Sequence, residues 1–200
     1  YMSAPATFRT RRLPRRSAPS FGGGSGVRVF EWSVALPTLV LVGYAVPRGD
    51  DLAGALPWLA MALATSLMSV RMWGTASVNM SLPVLVAAGM VLGAPLAGMV
   101  ALLGSVDRRE LRGQVAFSRV LFDHSQIALS AMAAAATYGA LGGGPYRLPG
   151  VLAAFAAALA ADLAVNLSMV LLGTRLTVRL PWQTIVESLF GERPLEQLLV

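Results

Sequence analysis

The sequence predicts an all-α fold, a polytopic transmembrane helix bundle of about six membrane segments with a short-helix hairpin at 78–106. Three observations carry that expectation. Hydrophobic residues make up 56% of the chain and charged residues only 13%, whereas a soluble domain carries about a quarter charged residues. The apolar residues run in long blocks, the pattern of a chain solvated by lipid. The arginines fall between those blocks and in an N-terminal arm.

Mean hydropathy is +0.64 and the isoelectric point is near 11.0. All sixteen basic residues are arginine, which together with the Ala, Gly and Val content suggests a high-GC bacterial coding sequence. Because the arginines sit in loops and the arm, the basic balance describes charge flanking a membrane rather than a nucleic-acid groove, and no nucleic-acid partner is expected. Cysteine is absent, so a disulfide framework, a thiolate nucleophile and a cysteine metal site are all excluded.

Residues 1–28 read as a disordered, cytoplasmic, arginine-rich arm. They hold Arg9, Arg11, Arg12, Arg15, Arg16 and Arg28, no acid, and a run of glycines at 22–24, too little apolar surface to offset the entropy of ordering. Clustered arginines beside a membrane gain about 1 kcal/mol each near an anionic surface, so Arg9, Arg11, Arg12, Arg15 and Arg16 are candidate membrane-surface residues. The arm lacks the apolar core of a secretory signal, and its composition also suits an organelle transit peptide.

The bundle is expected over 29–173. Its first segment is about Phe30–Val46, with Trp32 and Tyr44 suited to the two interfaces. The second is about Ala55–Val70. The third and fourth, about Val78–Leu92 and Ala94–Val106, are separated by Gly93 with Pro95 nearby. Taken together they exceed the roughly 20 residues of one crossing. Arginine placement chooses between one tilted helix and a hairpin, because cytoplasmic loops keep the positive charge. A hairpin with the N-terminus inside leaves only Arg48 and Arg147 outside, whereas a single crossing divides the arginines evenly between the two sides. The hairpin is the better reading, and it places the chain in the inner (plasma) membrane as a multi-pass protein. Gly89, Gly93, Ala94 and Gly98 follow small-xxx-small spacing, which lets helix backbones approach closely; Gly89, Gly93 and Gly98 are the candidate helix-packing residues.

The fifth segment is about Phe122–Leu141 and the sixth about Val151–Leu172. Residues 174–200 read as a cytoplasmic amphipathic segment, with Trp182 as anchor in Leu180–Leu189, and as the truncated start of something further.

Ionisable residues inside a span should face protein or water. Asp162 sits in the middle of the sixth segment, with Asn166 one turn later on the same face. Asp123, Gln126 and Ser130 share a face of the fifth at i, i+3 and i+7. Together they are the candidate ligand-binding set. The alternative is a hydrogen-bonded lock between two helices, with Asp123 acting as a helix cap. His124 is the lone histidine, which rules out a multi-histidine metal site, and no nucleophile or second acid is set beside it for catalysis. The charged run Asp107–Arg112 reads as a topology determinant. No catalytic residue, metal or cofactor is expected.

Ser81–Gly89 followed by Leu92–Gly98 resembles a stretch of the substrate-binding S components of energy-coupling-factor transporters. The same stretch, followed by Phe122–Ser130 and Leu141-Gly142-Gly143, resembles the N-terminal membrane regions of bacterial signalling proteins that carry HD-type phosphohydrolase or diguanylate cyclase domains downstream. The resemblance covers roughly residues 78–172. It implies a non-enzymatic sensor or anchor region of a signalling protein, with the bilayer and a downstream soluble domain as partners. The alternatives are a small-molecule-binding transporter subunit and a structural subunit packed among other membrane subunits.

Overall fold

The computed structural model describes residues 25–45, 52–71, 77–142, 150–178 and 181–184. Its architecture is helical. In chain order the elements are α1 (Ser25–Ala45), α2 (Leu52–Ser66), β1 (Ser69–Arg71), β2 (Ser77–Asn79), α3 (Leu82–Leu92), α4 (Ala94–Gly104), α5 (Arg108–Leu111), α6 (Phe117–Ala140) and α7 (Gly150–Val178).

Each apolar block of the sequence carries one helix, but the helices are not equivalent. Among the described residues only α1 and α7 are both long enough and apolar enough to cross a membrane. The count of six membrane segments is not shown among them. With a rise of ~1.5 Å per residue, α3 and α4 are each about 16 Å long, roughly half of a ~30 Å hydrocarbon core. Helix α6 has 24 residues, and Arg119, Asp123 and His124 in its first two turns lower its hydropathy. Helix α1 begins at Ser25, so residues 25–28 are helical rather than part of the arm. Arg9, Arg11, Arg12, Arg15 and Arg16 lie outside the described residues, as does most of 179–200.

The connection between α2 and α3 differs from a plain loop. Strands β1 and β2 pair antiparallel, Ser69 with Asn79, Val70 with Val78 and Arg71 with Ser77. Val78 thus opens a ribbon rather than the third helix. Ser and Asn compete with helical backbone for hydrogen bonds and favour such edges and turns, which delays α3 until Pro83 can sit in its first turn.

Helices α3 and α4 fold back on each other about Gly93. Its φ of 78° and ψ of 172° are open to glycine and closed to side chains with a Cβ, and its amide bonds the Gly89 carbonyl. A Cβ on Gly89 would lie 3.6 Å from that of Ala97, so the arms pack antiparallel.

Contacts fix the remaining directions. Phe30 meets Phe122 at 5.4 Å between ring centroids, near the starts of α1 and α6. Further along the same two helices, Val42 and Met132 both border Gly98, so α1 and α6 are parallel. Gly173, near the end of α7, lies against Phe30, so α7 runs antiparallel to both. The arginines at the start of α1, on and after α5, at the start of α6 and at the end of α7 consequently gather at one end of the bundle.

The interior is built from small side chains. Ala55, Ala62, Ala88, Ala101, Ala128 and Ala131 surround Leu85, Leu96 and Val100, while Leu36, Val40, Leu56, Met61, Val91, Leu152 and Leu163 are exposed. Only 11% of the most apolar window of α7 is buried, the reverse of a core helix in a soluble domain. Close approach explains the small interior. A Cβ on Gly98 would meet Met132 at 2.6 Å, and one on Gly104 would meet the Ala62 Cβ at 2.6 Å. Gly89 and Gly98 stand at helix contacts. Gly93 has open space around it and serves as the turn, not as a packing surface. Gly104 is a contact glycine that the spacing pattern did not single out.

Candidate functional site

Four of the five candidate residues meet along the α6–α7 interface. The Gln126 amide nitrogen donates to the Asn166 side-chain oxygen. One turn further out, Ser130 lies within hydrogen-bonding reach of the Asp162 carboxyl, while its own hydroxyl donates to the Ile127 carbonyl at 3.0 Å. Gln126, Ser130 and Asp162 are buried. The same ladder continues as apolar packing, where Ala134 and Tyr138 of α6 cluster with Ala158 and Ala154 of α7. Each step is four residues on both helices, so one antiparallel register serves polar and apolar rungs alike.

The sequence places these groups simply. An i, i+4 stripe on each helix presents small or amide side chains, and α7 has no other polar face at mid-length. Asp123 does not join them. It pairs with Arg119 at 3.1 Å, half exposed, one turn back on α6. At the arginine-bearing end a partner one turn away holds the carboxylate.

That end carries a second constellation. His124 Nδ1 lies 2.8 Å from the Leu102 carbonyl in the last turn of α4, and Nε2 lies 2.9 Å from Glu110 Oε2. The same Glu110 oxygen accepts the Asp107 amide at 3.2 Å, and Asp107 accepts the Arg109 amide at 3.1 Å, completing a capping box around α5. Asp107 also holds the Arg109 guanidinium at 2.7 Å. Partial burial works to raise the Asp107 carboxyl, but the hydrogen bonds and charge of Arg109 and the Arg108 amide outweigh it and keep the group below its ordinary 3.8.

Several buried polar groups escaped the sequence reading, Ser125, Glu31 and Thr38 among them. Ser125 Oγ is fully buried without a hydrogen-bond partner among the described residues. Glu31 is buried on α1, and Thr38 is fully buried with its hydroxyl on the Val34 carbonyl at 2.7 Å. Glu31 had a signal, an acid at the start of an apolar block. Ser125 had only its place beside Gln126, and the His124–Glu110 contact had none, because a turn and a four-residue helix separate the partners.

Chemically, the seam can hold two helices in one register. Among the described residues no three His, Asp or Glu side chains converge as metal ligands would. No known protein family, curated protein or solved structure matches the chain.

Proposed function

We propose that the chain is the membrane-embedded sensor or anchor region of a bacterial signalling protein, with its arginine-bearing end on the cytoplasmic side of the inner membrane. The observation that carries the reading is the inverted distribution of side chains. Many leucines, valines and methionines are exposed, alanine and serine make up most of the buried side chains, and arginines of α1, α5, α6 and α7 gather at one end. Small residues at helix contacts with apolar residues outside suit a bundle whose solvent is lipid, and charge at one end suits the positive-inside rule.

Helix α7 supports the signalling half. It spans about 43 Å at ~1.5 Å per residue, is held mainly by α6, and runs past Arg175 at the arginine-bearing end. A long helix fixed by one polar seam is suited to carry a shift in the bundle to a domain attached beyond it. The test is the open reading frame beyond Val200. A soluble output domain supports the proposal, and a stop codon directly after Val200 overturns it.

A second reading, a small-molecule-binding subunit of a transporter, is favoured by the unpartnered hydroxyl of Ser125 and the burial of Glu31, since buried polar groups without partners are costly unless a ligand or water satisfies them. Thermal shifts of the purified protein against a panel of vitamins and metal ions test it, and a flat response across the panel removes it.

A further inference from the structure

The contact of His124 with Glu110 joins elements that little else joins. Helix α5 has four residues and no buried side chain. Its capping box with Asp107 is internal to the segment, and the contact of Glu110 with His124 ties the segment to α6.

The hydrogen-bond roles at this contact are constrained. The Leu102 carbonyl only accepts, so His124 Nδ1 carries a proton. Glu110 Oε2 already accepts the Asp107 amide and faces Nε2 as an acceptor again, so Nε2 carries a proton too. With both ring nitrogens donating, the contact suits the imidazolium form of the ring. Its charge also sits at the last turn of α4, where the unpaired carbonyls of a helix end favour a cation. Removing the Nε2 proton sets a lone pair against a carboxylate oxygen at 2.9 Å in a contact whose side chains are only 15% and 13% exposed, and the contact must then open.

We propose that His124 and Glu110 form a proton-operated latch that docks the segment 105–116 while both ring nitrogens carry protons and releases it as pH rises and the ring loses one. The other charged groups at this end are Asp107, Arg108, Arg109 and Arg112 on and beside α5, Arg119 and Asp123 on α6, Arg28 and Glu31 on α1, and Arg175 on α7. Helices α2, α3 and α4 carry no ionisable side chain. Asp107 and Asp123 are each paired with an arginine. The latch rests on the sensor reading for its purpose, since it names the proton as an input at the cytoplasmic end, but its geometry is independent of that reading.

Amide hydrogen exchange of the purified protein in detergent, corrected for intrinsic rates, tests the latch between pH 5.5 and 8. The amides of Leu111, Arg112, Gly113 and Gln114, bonded within the segment, should lose protection by about tenfold or more as pH rises, the factor expected for one charge-assisted hydrogen bond. His124→Gln and Glu110→Gln should each give low, pH-independent protection there, with α6 and α7 exchange confirming that both variants fold. Because the chain has one histidine, its imidazole nitrogen resonances report the ring directly, and their midpoint should match that of the exchange. Protection that ignores pH, a wild-type pH response in either variant, or midpoints that disagree would each overturn the latch. None of these results bears on the membrane topology or on the presence of an output domain beyond residue 200, so the two proposals fail separately.

Discussion

Asp162 of α7 lies against Ser130 of α6, one helical turn from the hydrogen bond between Gln126 and Asn166. The polar rungs thus lie along one interface, and Gln126 finds its complement in Asn166 on the opposite helix. A seam of this kind makes register expensive to change. Sliding α7 by one residue would set Val165 or Leu167 in place of Asn166 opposite Gln126, and buried polar groups left without partners cost about 1–3 kcal/mol each.

Double-mutant behaviour should reveal that pairing. Asn166→Leu alone strands the Gln126 amide and should destabilise the protein by about 1 kcal/mol, the scale seen for polar contacts between membrane helices. Gln126→Leu should do the same. The double variant should be less destabilised than the two single effects together, because neither polar group is then left alone. Unfolding by titration with a denaturing detergent measures all three, and strict additivity would show that the two amides do not depend on each other.

The contact glycines should rank by what their Cβ would strike. At Gly104 the obstacle is the Ala62 Cβ, fixed to the backbone, whereas at Gly98 it is the flexible end of Met132. Gly104→Ala should therefore cost about 1–3 kcal/mol from overpacking, and Gly98→Ala distinctly less as Met132 rotates away. Gly139→Ala, with nothing within 4 Å, should be neutral or slightly stabilising, because alanine is the better helix former by about 1 kcal/mol. Thermal denaturation of the three variants in one detergent checks the order.

The capping box should respond at the acid end of the scale. Asp107 is held below its ordinary 3.8 in the folded protein, so its contribution is complete above that value and is lost as pH falls through the folded one. Asp107→Ala should lower the local stability of α5 by about 1 kcal/mol at neutral pH, as loss of an N-cap does. It should also remove the acid-dependent part of the exchange of residues 108–112. The Arg109 ion pair is largely exposed and adds little. This response runs opposite to the latch, which opens as pH rises, so the two are separable in one titration.

What was legible in the sequence was whatever depended on a single helix. Apolar blocks marked the helices, Gly93 beside Pro95 marked the hairpin, and i, i+4 spacing placed Gln126 with Ser130 and Asp162 with Asn166. Hidden were the features set by neighbours in space. Asp123 has the spacing to join Gln126 and Ser130, but Arg119 one turn away claims it. The ribbon at 69–79 depends on two strands of three residues meeting, too short for either to show an alternating pattern. His124 reads as an interfacial side chain until the turn after α4 brings Leu102 and Glu110 to its two nitrogens. Span number misleads for a related reason. Hydropathy marks α3 and α4 as apolar, but whether an apolar helix crosses a bilayer depends on its length, and Gly93 divides that length in two.

The hairpin sharpens the topology into a labelling experiment. Because α3 and α4 return to the end they start from, the arginine asymmetry is the same whether the hairpin crosses completely or turns back inside the membrane. What differs is the reach of its tip. With arms of about 16 Å against a ~30 Å core, the tip should stop short of the far surface. The natural chain has no cysteine, so single cysteines can be introduced without a background. In intact cells a membrane-impermeant maleimide should label Gly144→Cys from outside and should label Arg112→Cys only after permeabilisation. Ala94→Cys, beside the turn, should resist the reagent from both sides yet react with a small, membrane-permeant maleimide. Labelling of Ala94→Cys from outside would make the hairpin two complete crossings, and labelling of Arg112→Cys in intact cells would place the arginine-bearing end outside.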